Sequence, residues 1–172
     1  MILVAIGSNL PHPEIGPPLA VCEAAVAAIA AGDCVVSDRS RWFRSAPVPV
    51  SDQPDYINGV VSVETEMAPT ELMIYLHRIE RRFARQRSVP NAARTLDLDL
   101  LTFGEIVNEG PVSPILPHPR MTGRAFVLLP MADIVDNWRH PVTGISLETL
   151  IDGLDRDQNC VPVDESRDGQ GV

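Results

Sequence analysis

Two hydrophobic periods alternate along this chain, one of about two residues and one of about 3.6. Ile2, Leu3, Val4, Ala5 and Ile6 form a continuous apolar run that stops at Gly7-Ser8-Asn9, which predicts a buried strand ending in a turn. Pro11, Pro13, Pro17 and Pro18 mark the loop that follows. Leu19, Cys22, Val26 and Ile29 then recur at helical spacing in an alanine-rich segment closed by Gly32, and a helix is predicted over residues 18–31. Residues 34–43 read as a second strand, and the proline-bearing stretch 45–54 as a loop. Over 56–65, Ile57, Val61 and Val63 take one face of a third strand, and Tyr56, Asn58, Ser62 and Glu64 the other. Leu72, Leu76, Ile79 and Phe83 form the buried stripe of a second helix over 70–85. A short loop containing Pro90 leads to a fourth strand over 94–101. Residues 111–119 hold Pro111, Pro114, Pro117 and Pro119 and are read as irregular. Short helices are predicted over 124–134, tightened by Pro130, and over 146–151.

The order is β-α-β-β-α-β followed by helices. It predicts an α+β, ferredoxin-like antiparallel sheet with helices packed on one face and a C-terminal helical extension. No repeat or linker divides the chain, so residues 1–155 are expected to form one domain. Residues 156–172 are polar and acidic and are expected to be a flexible tail.

The most informative element is Arg94-Thr95-Leu96-Asp97-Leu98-Asp99-Leu100-Leu101. In a strand, Asp97 and Asp99 project to one face, roughly 6–7 Å apart along the chain, and Leu96, Leu98 and Leu100 project to the other. Two adjacent carboxylates repel unless a cation lies between them. Paired hard oxygens suit Mg²⁺, which keeps waters and substrate phosphates as its remaining ligands. Alternating Leu and Asp is also what a half-exposed strand shows. The neighbouring Arg94 favours the metal reading, because a cation beside a metal pair serves a polyanionic ligand.

Composition narrows the chemistry. The formal net charge of −9 argues against general affinity for nucleic acid or anionic membranes. No apolar run approaches the ~18 residues of a membrane span. Cys22, Cys34 and Cys160 show no metal spacing, which points to reduced thiols and a cytoplasmic setting. All 14 basic residues are arginines, so a P-loop lysine and a Schiff-base lysine are excluded. Phosphate must be handled by arginine, backbone amides or metal.

Arg78, Arg81 and Arg82 lie on the helix face away from the buried stripe and read as solvated. Arg85 and Arg87 stand where the helix gives way to the loop before Asp97, within reach of phosphates held there. Tyr56 and Asn58 share a strand face, so a ring and an amide point into the same space; ordinary cross-strand packing is the alternative. Phe126 alone reads as helix core. In Leu116-Pro117-His118-Pro119-Arg120-Met121-Thr122-Gly123-Arg124, His118 between two prolines has a restrained backbone, with Arg120 and Arg124 near it.

Together these segments resemble the 6-hydroxymethyl-7,8-dihydropterin pyrophosphokinase family. The resemblance covers about residues 1–150. It rests on Ala5-Ile6-Gly7-Ser8-Asn9-Leu10, Asp52-Gln53-Pro54-Asp55-Tyr56-Ile57-Asn58, Arg78-Ile79-Glu80, Arg85-Gln86-Arg87, the strand from Arg94 to Leu101, and Leu116-Pro117-His118-Pro119-Arg120-Met121 leading to Arg124-Ala125-Phe126. Ala92-Ala93 stands where Gly-Pro is common in the family.

The resemblance implies a ferredoxin-like fold and transfer of pyrophosphate from ATP to a pterin hydroxymethyl group, releasing AMP. Asp97 and Asp99 match the pair that holds two Mg²⁺ ions. Tyr56 and Phe126 match the rings that sandwich the pterin, and Asn58 the residue that hydrogen-bonds its edge. Gly7, Ser45, Pro47 and Val48 match the lining of the pterin pocket. Arg85, Arg87, Arg94, His118 and Arg124 match positions that contact ATP or the transferring phosphates, with Arg85, Arg94 and Arg124 expected to act in catalysis. Glu80 matches a position near the nucleotide. ATP and a dihydropterin are the expected partners of a monomer that binds neither nucleic acid nor membrane. Two other readings stay open on sequence: a different Mg²⁺-dependent nucleotide transferase, and a non-catalytic ferredoxin-like binding module.

Overall fold

The computed structural model describes residues 1–49, 51–83, 94–110 and 113–164. Strand β1 (Ile2–Ser8) is central. It pairs antiparallel with β4 (Tyr56–Glu64) on one side and β5 (Asp97–Phe103) on the other. Strands β2 (Val35–Arg39) and β3 (Phe43–Ser45) both pair with β4, one after the other along its length. The second strand expected over 34–43 is therefore broken. Ser40 explains how the sheet survives the break: its N–H donates to the Val60 carbonyl, and its hydroxyl accepts from the Val60 N–H, each at 3.0 Å. Trp42 then folds over Gly59, where a Cβ would lie 2.6 Å from the indole ring.

Helix α1 (Pro18–Ala30) begins with proline at its first position, where a missing N–H costs nothing. Helix α2 (Pro69–Arg82) begins likewise, and the Glu71 carboxylate accepts from the Ala68 N–H at 2.8 Å. Both helices pack on the same sheet face. Val21, Cys22, Ala25 and Ile29 of α1, and Leu72, Leu76 and Ile79 of α2, meet Val4, Ile6, Val61, Val63, Leu98 and Leu100 there. Leu98 and Leu100 are almost wholly buried, which stabilises the fold by about 1.5–3 kcal/mol each. A one-residue slip of β5 would put its aspartates into this core, so burial of the leucines fixes which face the acids take.

The other face is not bare, which corrects the expectation of helices on one face only. Helix α3 (Ala125–Ala132) and helix α4 (Leu147–Asp152) cover its far half. Val127, Leu128, Met131 and Leu147 pack there on Leu3, Val60 and Leu101. Leu101 lies on that face by the alternation of β5, two residues beyond Asp99. The near half, beside the N-terminus of α3, is left open.

The boundary expected at residue 155 is also moved. Residues beyond it enter the sheet as β6 (Cys160–Pro162), antiparallel to β3. The expected tail thus begins as an edge strand; residues 165–172 lie outside the described ones.

Candidate active site

The open half of the second face has a cross-strand row as its floor. Gly7 of β1 lies opposite Asn58 of β4 and opposite Asp97 of β5. Directly paired residues share a face. Gly7 has no side chain, and a Cβ at that position would sit 3.2 Å from Asn58 Oδ1 and 3.9 Å from the Asp97 Cβ. The floor is thus shallow at its centre, with an amide on one flank and a carboxylate on the other. One pair further along, Ala5 lies opposite Asp99.

Around this floor lies a cavity of about 370 Å³. Gly7, Ser45, Pro47, Val48, Tyr56, Asn58 and Phe126 all line it, as do Arg94, Asp97, Asp99 and Arg124. The pterin residues implied by resemblance and the acid pair therefore share one space. Asn58 is buried and its Nδ2 donates to the Ser45 hydroxyl at 2.9 Å, which fixes the amide and leaves Oδ1 beside Gly7. Phe126 enters from the first turn of α3, and the Arg124 guanidinium lies over its ring, 5.3 Å from the centroid.

The polar end is built around the acids. Arg94 donates to Asp97 Oδ2 at 2.5 Å, with both side chains about one-fifth exposed. Arg124 Nη1 and His118 Nε2 each lie 3.9 Å from Asp99 Oδ2. His118 Nδ1 accepts from the Arg120 N–H at 3.2 Å, so the neutral ring carries its proton on Nε2, facing Asp99. Burial pushes the His118 pKa below its ordinary value, and Arg124 and Arg120 add to that, against the pull of Asp99. The Arg124 pKa is lowered mainly by burial as well, and its guanidinium keeps its charge.

Paired carboxylates at the edge of an anion-receptive cavity fit a hard divalent cation. Among the described residues no group of three or more His, Cys, Asp or Glu is placed to hold a metal. Two protein carboxylates, completed by water and substrate phosphate, are the ligand set Mg²⁺ ordinarily takes.

Two expected site residues are placed differently. His118 is not among the residues that line the cavity; its Nε2 faces Asp99, which is. Glu80 is 1% exposed and lies behind β5, where its Oε1 accepts from the Leu98 N–H at 2.9 Å. It supports the peptide between the two acids instead of facing the cavity. Arg85, Arg87, Ala92 and Ala93 lie outside the described residues.

The structure adds residues that sequence reading did not single out. Gln53 lines the cavity with Ala46, Pro49 and Ser51, and Arg120, already noted beside His118, lines it too. Asn9, 1% exposed, joins two walls. Its Nδ2 donates to Gln53 Oε1 and the Pro54 carbonyl, and its Oδ1 accepts from the Arg94 N–H at 2.8 Å. A buried asparagine just after a strand was the available signal, since such an amide needs partners.

A ferredoxin-like fold with paired acids, arginines and a ring-and-amide pocket on one sheet face defines an ATP-dependent transferase. The chain belongs to the 7,8-dihydro-6-hydroxymethylpterin-pyrophosphokinase (HPPK) family, whose model matches residues 3–136. It is 38% identical over 154 residues to the 2-amino-4-hydroxy-6-hydroxymethyldihydropteridine pyrophosphokinase of Synechocystis sp., covering 89% of this chain and 75% of that one. The enzyme of the same name from Pseudomonas aeruginosa is 38% identical over 144 residues, covering 81% and 83%. Folic acid synthesis protein fol1 of Pneumocystis carinii is 32% identical over 154 residues, which is 89% of this chain but 20% of that longer protein. Among solved structures, a Plasmodium falciparum HPPK-DHPS triple mutant with SDX-DHP shares the fold, with a TM-score of 0.63 over 88% of this chain and 43% of that one, at 12% identity.

Proposed function

We infer that this chain transfers pyrophosphate from ATP to the hydroxymethyl group of 6-hydroxymethyl-7,8-dihydropterin, releasing AMP, as a step of folate synthesis. The observation that carries the reading is the shared cavity: a flat-ligand pocket and a paired-carboxylate, arginine-rich end meet over Gly7. A nucleophile bound at one end is delivered to phosphates bound at the other.

The pterin ring lies between Tyr56 and Phe126, with Asn58 bonding its edge and Ser45 holding Asn58 in orientation. Pro47, Val48 and Gly7 complete its pocket. The hydroxymethyl oxygen attacks the β-phosphorus of ATP in line, the bond to the α-phosphate oxygen breaks, and AMP leaves. Asp97 and Asp99 would hold Mg²⁺, for which we propose two ions; bound there, the metal would supply charge neutralisation and orientation of the triphosphate. Arg94 and Arg124 place fixed positive charge beside the transferring group, and Arg85 and Arg87 are proposed to contact ATP or the transferring phosphates. His118 is proposed to act on bound ATP through Asp99, which its Nε2 faces. The loops flanking the cavity exclude water that would otherwise hydrolyse ATP.

The test is AMP release from ATP and Mg²⁺ with and without 6-hydroxymethyl-7,8-dihydropterin. Pterin-dependent AMP is expected. Release of pyrophosphate in its place would make the chain a nucleotidyltransferase, and pterin binding without turnover would make it a binding module. No helix among the described residues is long and apolar enough to cross a membrane. We propose a cytoplasmic monomer that takes small molecules only.

A further inference from the structure

Residues beyond the segment matched by the family model make contacts at the cavity wall. The side-chain amide of Gln158 brackets Arg124 from both sides. Its Oε1 accepts from the Ala125 N–H at 2.9 Å, and its Nε2 donates to the Gly123 carbonyl at 2.9 Å. The backbone on both sides of Arg124 is thereby pinned by one planar group. Arg124 faces Asp99 and lies over Phe126, so the pinned turn sets both a cation and a ring of the cavity.

Gln158 is itself anchored to the opposite wall. The neighbouring Asn159 carbonyl accepts from the Ala46 N–H at 3.4 Å, and β6 continues along β3, with Ser45 opposite Cys160. The Val163 N–H closes the strand on the Trp42 carbonyl at 2.8 Å. One short segment thus links the Ser45–Pro47 wall to the Gly123–Phe126 wall. The Ala125 N–H is an orphan donor at the start of α3, and the preceding residue, Arg124, gives no side-chain cap. Gln158 supplies that cap from a distant part of the chain.

We propose that Gln158 is a positioning residue for the transfer reaction, acting through Arg124 by fixing the backbone that presents its guanidinium to Asp99. This rests on the transferase reading above.

The test is a double-mutant cycle in the full chain: Gln158→Ala and Arg124→Ala, singly and together, read as kcat in the pterin-dependent AMP assay. Gln158→Ala is expected to lower kcat about tenfold in the otherwise native chain, because small displacements of a charge-stabilising group cost much of its effect. In the Arg124→Ala background it is expected to cost nothing further. A fall of less than threefold in the native background overturns the proposal. So does a further fall of threefold or more where Arg124 is already absent, the result of a merely structural role. Gln158→Glu keeps the acceptor for Ala125 and loses the donor to Gly123; should the alanine variant not fold, the same cycle and thresholds apply to it. Amide hydrogen exchange separates this from the functional reading: Ala125 is expected to exchange about tenfold faster in Gln158→Ala, which removes its acceptor, whether or not the wild type turns over. Unchanged exchange at Ala125 refutes the positioning role, whereas absence of pterin-dependent AMP in the wild type refutes the reaction alone.

Discussion

Glu80 offers the sharpest test of how the acid pair is held. Its carboxylate is buried beneath the edge strand and accepts from the N–H of Leu98, the residue between Asp97 and Asp99. Glu80→Ala removes the acceptor and leaves a buried N–H without it, at a cost of about 1–3 kcal/mol. Loss of the buried Cγ methylene adds about 0.8 kcal/mol. The expected destabilisation is therefore about 2–4 kcal/mol, read from urea unfolding as a lower midpoint at unchanged slope. Glu80→Gln keeps an oxygen on the same branch to accept from Leu98, so a smaller cost of about 1 kcal/mol is expected. Turnover should follow the same order under conditions where both variants remain folded, because the Leu98 peptide joins the two acids. Equal destabilisation by Gln and Ala, or an alanine cost below about 1 kcal/mol, would refute the hydrogen-bond account.

Asp97→Ala is expected to abolish turnover and Mg²⁺-dependent ATP binding, measured by assay and by calorimetry with and without the metal; near-normal activity would sink the metal assignment. For Tyr56→Ala, pterin affinity is expected to fall about tenfold or more while ATP affinity is kept, since the ring lines the cavity and offers a stacking face to a flat ligand. Separate calorimetric titrations decide it, and an equal loss for both ligands would count against two subsites. The His118 pKa is lowered from 6.5, chiefly by burial. The unfolded chain then takes up the proton first as pH falls, so the group's contribution destabilises the fold below about pH 6.5 and vanishes above it. Urea midpoints between pH 7 and 5 should fall less in His118→Gln than in the wild type; parallel curves would contradict the assigned shift.

Much of the frame is legible in the chain because it rests on local periodicity. Alternation in Leu96-Asp97-Leu98-Asp99-Leu100 sets the two faces of β5, and the buried leucines enforce it. The helical stripes of α1 and α2 and the β-α-β-β-α-β order lead to the ferredoxin-like sheet by the same physics. The arginine-only basic complement and the paired acids are covalent facts that narrow the chemistry before any folding. What periodicity does not carry is which distant segments meet. The Asn58–Gly7–Asp97 row exists because β1 pairs on both sides in one register, and no local pattern states that register. Val60 and Leu101 read as surface positions until α3 covers them. Glu80 matches a position near the nucleotide by resemblance, and only the docking of α2 behind β5 makes it the acceptor for Leu98. Gln158 lies in a polar stretch with no periodicity at all, and only pairing of β6 with β3 carries it to Arg124. The sequence by itself determined most of the elements, their inward faces and the candidate site residues, since these depend on near neighbours. Tertiary structure alone decided the shared cavity and the supports beneath it, because each depends on contacts between residues far apart along the chain.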